Sequence, residues 1–187
     1  MRWEALFSDL AGQFDAAARA GLEDELIDLT EAEMATSGIA DRLRARLGRA
    51  LSVRLVGGSL VQGEVLDAAP QWLLLADGGR RALVPLHSVV AAWPLGEVAP
   101  AASVAERRLR LTHVLRAVAR EGTAVLVRTE HGDYRGWLVR VAADHIDLRV
   151  DDAGGVLPVR GDAVRSPGRD AAVLSVVLGH VVAVQTL

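Results

Sequence analysis

Short apolar runs alternate with turn residues along most of the chain. In the first half the runs are separated by glycine, proline and aspartate, at a "GG" turn, a proline turn and a "DGG" turn. Apolar runs of about four to eight residues bounded by such breakers are typical of β-strands. The pattern therefore predicts five short strands, at 52–56, 60–68, 72–76, 81–86 and 89–93.

A second set of apolar runs repeats this arrangement nearer the C-terminus. Its predicted strands lie at 124–129, 134–141, 145–150, 172–178 and 181–185. Placing Gly63 on Gly136 aligns the sets at an offset of 73 residues, and placing Val90 on Val181 aligns their last strands at 91. The difference predicts an inserted surface loop at about 151–170, rich in Gly, Asp and Arg. The two sets therefore indicate an internal duplication.

Helical signals precede each set of strands. Residues 1–36 carry apolar residues at helical intervals and many acidic residues, which predicts an acidic amphipathic helix. In "TSGIADRLRARLG", Asp41 lies near the helix start and Gly48 near its end. In "SVAERRLRLTHVLRAVAREG", Ser103 begins a Ser-x-x-Glu capping box and Gly122 lies just past the end.

The predicted fold is mainly β with helices. It consists of two tandem five-stranded small barrels, at 37–94 and 103–187, each beginning with a short helix. A linker at 95–102 joins them, and the acidic helix at 1–36 precedes both. Gly63 and Gly136 would allow the second strand of each barrel to bend sharply.

Composition limits the function classes. The chain has no cysteine, which excludes disulfides and thiolate sites, and its net charge of -3 provides no overall basic field for nucleic acid. "AAVLSVVLGHVVAV" is the most apolar tract, but it is short and rich in valine, and it fits two strands better than a membrane span. A soluble cytoplasmic protein with no membrane association is expected.

"VRLVGGSLVQGEVLDAAPQWLLL" and "VLVRTEHGDYRGWLVRVAADHIDL" resemble the first motif of the Sm-like (LSm) small β-barrel. This resemblance implies an SH3-like barrel fold and RNA binding. Trp72 and His145 lie near the motif's base-contacting Asn position, and His87 matches the His of a Tyr-Lys-His signature in which Pro85 and Leu86 replace the other two residues. The second Sm motif, an Arg-Gly pair, is missing from the first copy and survives as "LGHVV" in the second.

"GEVLDAAPQWLLLADGGRRALVPLHSVV" also resembles the PRC-barrel of ribosome maturation factors, a module that binds proteins. The short helix before each set of strands favours the Sm-like alternative. The resemblance to the PRC-barrel implies a protein–protein adaptor. A ribosome-associated adaptor is one form of this alternative.

An aromatic and basic cluster is a further candidate for RNA contact. In "DYRGWLVR", Tyr134 and Trp137 could stack on bases while Arg135 binds phosphate, and "GGRR" places Arg80 and Arg81 in a turn. The candidate nucleic-acid-binding residues are Tyr134, Arg135, Trp137, Arg80, Arg81, Trp72, His87 and His145.

The sequence contains no recognisable catalytic motif, and no catalytic residue, cofactor or metal site is predicted. "HGD" and "DHID" could gather metal ligands at one barrel edge, but turn polarity explains them more simply. The leading hypothesis is a non-enzymatic module that binds single-stranded RNA, and the alternative is an adaptor or oligomeric scaffold with a protein partner. A hydrolytic or metal-dependent enzyme ranks third. Self-association is expected through edge strands or the N-terminal helix.

Overall fold

Strands dominate the part of the chain that the computed structural model describes, which comprises residues 38–96, 99, 109–150, 156–157 and 172–187. The helices are α1 (Ile39–Arg44) and α2 (Leu111–Glu121). The strands of the first half are β1 (Ala50–Leu55), β2 (Leu60–Ala69), β3 (Trp72–Asp77), β4 (Arg80–Pro85) and β5 (Val89–Trp93). Those of the second half are β6 (Ala124–Thr129), β7 (Gly132–Val141), β8 (His145–Val150), β9 (Val156–Leu157), β10 (Ala172–Val177) and β11 (Val181–Thr186).

Ten of these strands form one open antiparallel sheet. Their order is β10-β8-β7-β6-β11-β4-β3-β2-β1-β5, and β9 pairs with β7 beside this path. The two halves meet where β11 pairs with β4, with Val184 opposite Leu83 and Gln185 opposite Ala82. We call this pairing the seam.

The mainly β prediction is confirmed, but the sheet does not close into the two barrels that the sequence predicts. Strand β4 has β3 on one side and β11 on the other, so neither of its edges remains for β5. Among the described strands, β5 pairs with β1, and β5 and β10 lie at the two ends of the sheet. The chain uses its last strand to join the halves rather than to close either of them.

The internal strand order is the same in each half. The first half runs β4-β3-β2-β1-β5 and the second runs β10-β8-β7-β6-β11. The ladder of β2 on β3 shifts register between Val65 and Asp67, and that of β7 on β8 shifts between Leu138 and Arg140. These irregularities lie 73 residues apart, which is also the offset between Gly63 and Gly136.

The offset of 91 predicted for the last strands is wrong by one residue. Val89 lies opposite Leu55 at the start of β5, and Val181 lies opposite Thr129 at the start of β11. The corresponding strands are therefore 92 residues apart, as are Arg80 at the start of β4 and Ala172 at the start of β10.

The second strand of each half approaches the backbone of its neighbour closely at a glycine. A Cβ at Gly63 would meet the carbonyl of Ala76 on β3, and a Cβ at Gly136 would meet the carbonyl of Arg149 on β8. Only a residue without a side chain permits this approach, and a β-bulge follows shortly after each glycine.

Apolar side chains cross the seam in both directions. Val182 and Ala183 of β11 belong to the core cluster of the first half, whereas Trp72 and Leu83 belong to that of the second. The buried Ser88 hydroxyl lies 2.7 Å from the carbonyl oxygen of Pro85 and 2.8 Å from that of Val182. Packing and a buried polar contact therefore supplement the short seam ladder.

Some of the predicted helix starts and ends agree with the structure, and others lie outside the described residues. Asp41 lies in the first turn of α1, and Gly122 ends α2 with a left-handed φ of 64°. Helix α2 begins at Leu111 with Arg110 as its N-cap, whereas the Ser103 capping box lies outside the described residues. The predicted acidic helix at 1–36, most of the linker and most of the inserted loop also lie outside the described residues. Within the loop, the structure describes the short strand β9, which was not predicted. None of the helices described here has the length and hydropathy to cross a membrane.

Replacing Gly136 with alanine tests the close approach. Gly136→Ala should lower the free energy of unfolding by roughly 1–3 kcal/mol, because the new methyl group would displace the backbone of β8. Urea denaturation measures the change. Gly179→Ala is the control, since a Cβ there meets nothing within 4 Å. Equal stability of the two variants would contradict the close approach.

Replacing Ser88 with alanine tests the polar contact across the seam. Ser88→Ala should destabilise the protein by about 1–3 kcal/mol, because the Val182 carbonyl would lose a buried donor. Ser52→Ala, which removes an exposed hydrogen bond to Gln62, should change the unfolding midpoint much less. Similar losses in both variants would mean that Ser88 does not stabilise the seam.

Candidate functional site

A cleft opens where the two halves meet. It has a volume of about 680 Å³ and is bordered by turns of both halves and by the start of α2. We call it the seam cleft. Its lining residues are Pro70, Gln71, Leu86, His87, Arg110, Leu111, Thr112, His113, Arg116, Ala143, Leu178 and Gly179.

Two contacts hold the start of α2 against the first half. The Trp72 Nε1–H donates to the carbonyl of Leu109 at 2.8 Å. The backbone N–H of Leu111 lies 3.4 Å from Oε1 of Gln71, which accepts from it. Gln71, the acceptor, lies in the turn between β2 and β3, and Trp72, the donor, is the first residue of β3. This turn therefore holds the segment in which α2 begins.

The first turn of α2 points into the seam cleft. Arg110 caps the helix through its backbone, with its N–H 3.3 Å from Nδ1 of His113 and its carbonyl accepting from the His113 N–H at 2.9 Å. The N-terminal end of a helix carries a partial positive charge. Thr112, the second residue of α2, also lines the cleft at this end.

Basic and polar side chains give the seam cleft its character. Arg110, Arg116, His87 and His113 line it together with the amide of Gln71, and no carboxylate stands among its described lining residues. The Arg116 guanidinium also lies 3.4 Å from the Val141 carbonyl, which orients it at the cleft wall. Such a set of donors is suited to a phosphate or another anion.

The residues predicted to bind nucleic acid do not form one site. His87 is exposed in the seam cleft. Trp72, a candidate nucleic-acid-binding residue, is only 3% exposed and packs in the core of the second half, so its ring is not available for such a contact. Arg80 and Arg81 lie on β4 beside the turn from β3, and the Arg81 N–H donates to Thr186 Oγ1 across the seam at 2.8 Å.

Tyr134, Arg135 and Trp137 lie on β7, separate from the cleft lining. Tyr134 packs against the second-half core, which restricts its ring. Arg135 is exposed and Trp137 is half-buried, with the Arg149 guanidinium 5.5 Å from its ring centre. The protein's own arginine therefore already occupies one side of this ring.

His145 lies at the start of β8 among acidic neighbours. Its Nδ1–H donates to Asp144 at 2.7 Å, and its Nε2 lies 3.9 Å from Asp147. The hydrogen bond from His145 lowers the pKa of Asp144 below its usual value. Ser175 donates to Asp147 at 2.6 Å. In the described ranges, no group of three or more His, Asp or Glu is placed to hold a metal ion.

Most of the cleft residues were missed by the sequence reasoning. Gln71, Arg110, Thr112, His113 and Arg116 come together only because β11 pairs with β4 and brings α2 beside the first half. A signal was present, since Arg110, His113 and Arg116 recur at three-residue intervals and share one face of a helix. The chain matches no protein-family model, curated protein or solved structure.

Proposed function

We propose that the protein is a non-enzymatic module that binds single-stranded RNA in the seam cleft. The observation that carries this proposal is the lining of the cleft in a chain of net charge -3. Two arginines and two histidines line it, and no carboxylate stands among the lining residues that the structure describes. A basic, concave site on an acidic protein concentrates anionic ligands locally without a global basic field.

The size of the cleft favours single-stranded over duplex nucleic acid. Its volume of about 680 Å³ lies within the usual range of sites that enclose a small molecule. A nucleotide with its phosphate fits such a space, whereas a duplex would need a broad groove-reading surface. Single-stranded RNA is also the form whose unstacked bases proteins read most readily.

Different lining residues can contact different parts of a nucleotide. Arg110 and Arg116, with the start of α2, would hold phosphate oxygens. Gln71 and Thr112 offer donors and acceptors for base edges or for the ribose 2′-hydroxyl. His87, from the opposite side, can donate to the same ligand or stack on it.

We also propose that the halves are degenerate copies of an Sm-like barrel. What supports this is the shared strand order, the shared bulge after Gly63 and Gly136, and the backbone approach that both glycines permit. The base-contacting Asn and the Arg-Gly pair of that family are replaced here, so RNA would be recognised by this chain's own cleft residues.

Cleft substitutions test the proposed function. Arg116→Gln and His87→Ala should each weaken binding of a mixed-sequence single-stranded RNA by roughly tenfold, the effect of one lost charge-assisted hydrogen bond. Arg116→Gln should also reduce the salt dependence of log K by about 0.7. Fluorescence anisotropy titrations at several salt concentrations give both quantities, with single-stranded DNA as a comparison.

The matched control is Arg135→Gln, which removes an exposed arginine on β7 that does not line the cleft. We expect it to retain the affinity of the unaltered chain. Loss of affinity in Arg135→Gln but not in the cleft variants would move the RNA site to β7. No binding at low salt would exclude RNA binding altogether.

The adaptor alternative makes a different prediction. If the protein is an adaptor, a tagged copy should recover a stoichiometric protein partner that survives nuclease treatment. If the cleft binds RNA, nuclease should release the recovered material, and Arg116→Gln should recover less of it. The two functions are therefore separated by the same pull-down.

A further inference from the structure

A second cavity, with a volume of about 170 Å³, lies between α2 and the strands at the seam. Most of its lining is apolar, and we call it the α2 pocket. The described lining residues of this pocket and of the seam cleft do not overlap, so the two cavities are separate candidate sites. The apolar residues that line the α2 pocket are Leu74, Leu83, Val114, Ala117, Val118 and Val184.

The floor and the wall of the α2 pocket follow from the register of the sheet and the period of the helix. Leu74 and Val184 both lie opposite Leu83, so the three side chains form one row on the same face of the sheet. Val114 and Val118 are one turn apart and lie on the same side of α2. These two valines and Leu74 are only partly buried against the second-half core. An apolar group that filled the pocket would therefore remove apolar surface from water.

Three polar residues, Arg81, Thr186 and Glu121, complete the lining of the α2 pocket. The backbone N–H of Arg81 donates to Thr186 Oγ1 at 2.8 Å, which places these two residues side by side. Thr186 also lies opposite Val125 of β6, and Glu121, the last residue of α2, is followed almost directly by that strand. The topology therefore brings all three polar residues to the same end of the pocket.

Opposite charges stand at this end without neutralising each other directly. Arg81 and Glu121 are both exposed, and they do not form an ion pair with each other. Because Thr186 Oγ1 accepts from the backbone, its own O–H is able to donate to a ligand. The C-terminal end of a helix carries a partial negative charge, which adds to that of Glu121. The pocket thus presents hydrogen-bond donors and an acceptor beside an apolar chamber.

We infer that the α2 pocket binds a free α-amino acid with an aliphatic side chain. The ligand carboxylate would accept hydrogen bonds from the Arg81 guanidinium and the Thr186 hydroxyl, and its ammonium group would donate to Glu121. Its side chain would lie on Leu83 and against Val118. An α-amino acid carries both charges on one carbon, whereas a ligand with a single charge would leave one polar side of the pocket without a partner.

The volume of the pocket favours a side chain of about the size of leucine. An engineered apolar cavity of roughly 150 Å³ takes up a benzene ring, and the α2 pocket has a volume of about 170 Å³. Strands β4 and β11 both contribute to its floor, so the pocket is complete only when the seam has formed. The inference does not depend on RNA binding, because its residues do not line the seam cleft.

Amino acids of different side-chain size test the apolar chamber. In isothermal titration calorimetry, L-leucine should bind the unaltered protein with one ligand per chain. L-alanine should bind at least roughly tenfold more weakly, because it lacks most of the apolar chain. Absence of L-leucine binding up to millimolar concentrations overturns the inference, whether or not the protein binds RNA.

Analogues of leucine that lack one charge test the polar end. Isocaproate has no ammonium group and isoamylamine has no carboxylate. Each should bind roughly tenfold or more weakly than L-leucine, the effect of losing a charge-assisted hydrogen bond. Isocaproate binding as tightly as L-leucine would mean that the pocket recognises a carboxylate alone and would contradict the role of Glu121.

Matched substitutions assign the contacts to residues. Arg81→Gln and Glu121→Gln should each weaken L-leucine binding by roughly tenfold. Glu121→Gln should not weaken isocaproate binding, whereas a general disturbance of the pocket would weaken both ligands. The controls are Arg80→Gln and Glu130→Gln, which alter exposed residues outside the pocket lining and should retain full affinity. Equal losses in the controls would contradict the site, and circular dichroism verifies that each variant is folded.

Discussion

Backbone pairing between β4 and β11 joins the two halves of this protein, and the other features depend on it. The ladder is short, with Val184 opposite Leu83 and Gln185 opposite Ala82. It is supplemented by side chains that each half buries in the other, among them Val182 and Trp72. The same pairing places α2 beside the turn between β2 and β3, and this juxtaposition creates the seam cleft. Without the seam, Arg110 and His87 would belong to separate surfaces.

The seam cleft differs in charge from the chain as a whole. The whole chain carries a net charge of -3, which argues against a broad nucleic-acid-binding surface. The seam cleft has the opposite character, because Arg110 and Arg116 line it and none of its described lining residues carries a carboxylate. Asp144 follows the lining residue Ala143, but it accepts a hydrogen bond from His145. The net charge of the whole chain therefore does not describe the charge of the seam cleft.

Local pattern predicted the strands well, because alternation and turn residues are encoded over a few neighbouring positions. It located the last strands but aligned them one residue out of step, because "VVAAW" and "VVAVQ" both begin with two valines and a one-residue slip changes little in the sequence. It also offered Trp72 as a nucleic-acid-binding residue, whereas the side chain is buried. The carbonyl of Leu109 that accepts from Trp72 lies 37 residues away, and no local pattern reveals such a partner. The cleft was missed for the same reason, whereas Gly63 and Gly136 could be recognised from spacing alone.

The position of β11 within the sheet has a consequence for how the protein is made. The ribosome synthesises β4 before residues 86–180, so the outer edge of β4 lacks its partner until β11 has been made. The nascent first half meanwhile lacks Val182 and Ala183 from its core. During translation a bare strand edge is prone to mispairing, including with the first half of a neighbouring nascent chain on the same messenger. The first half therefore gains its full set of strand and core partners only when β11 has been made.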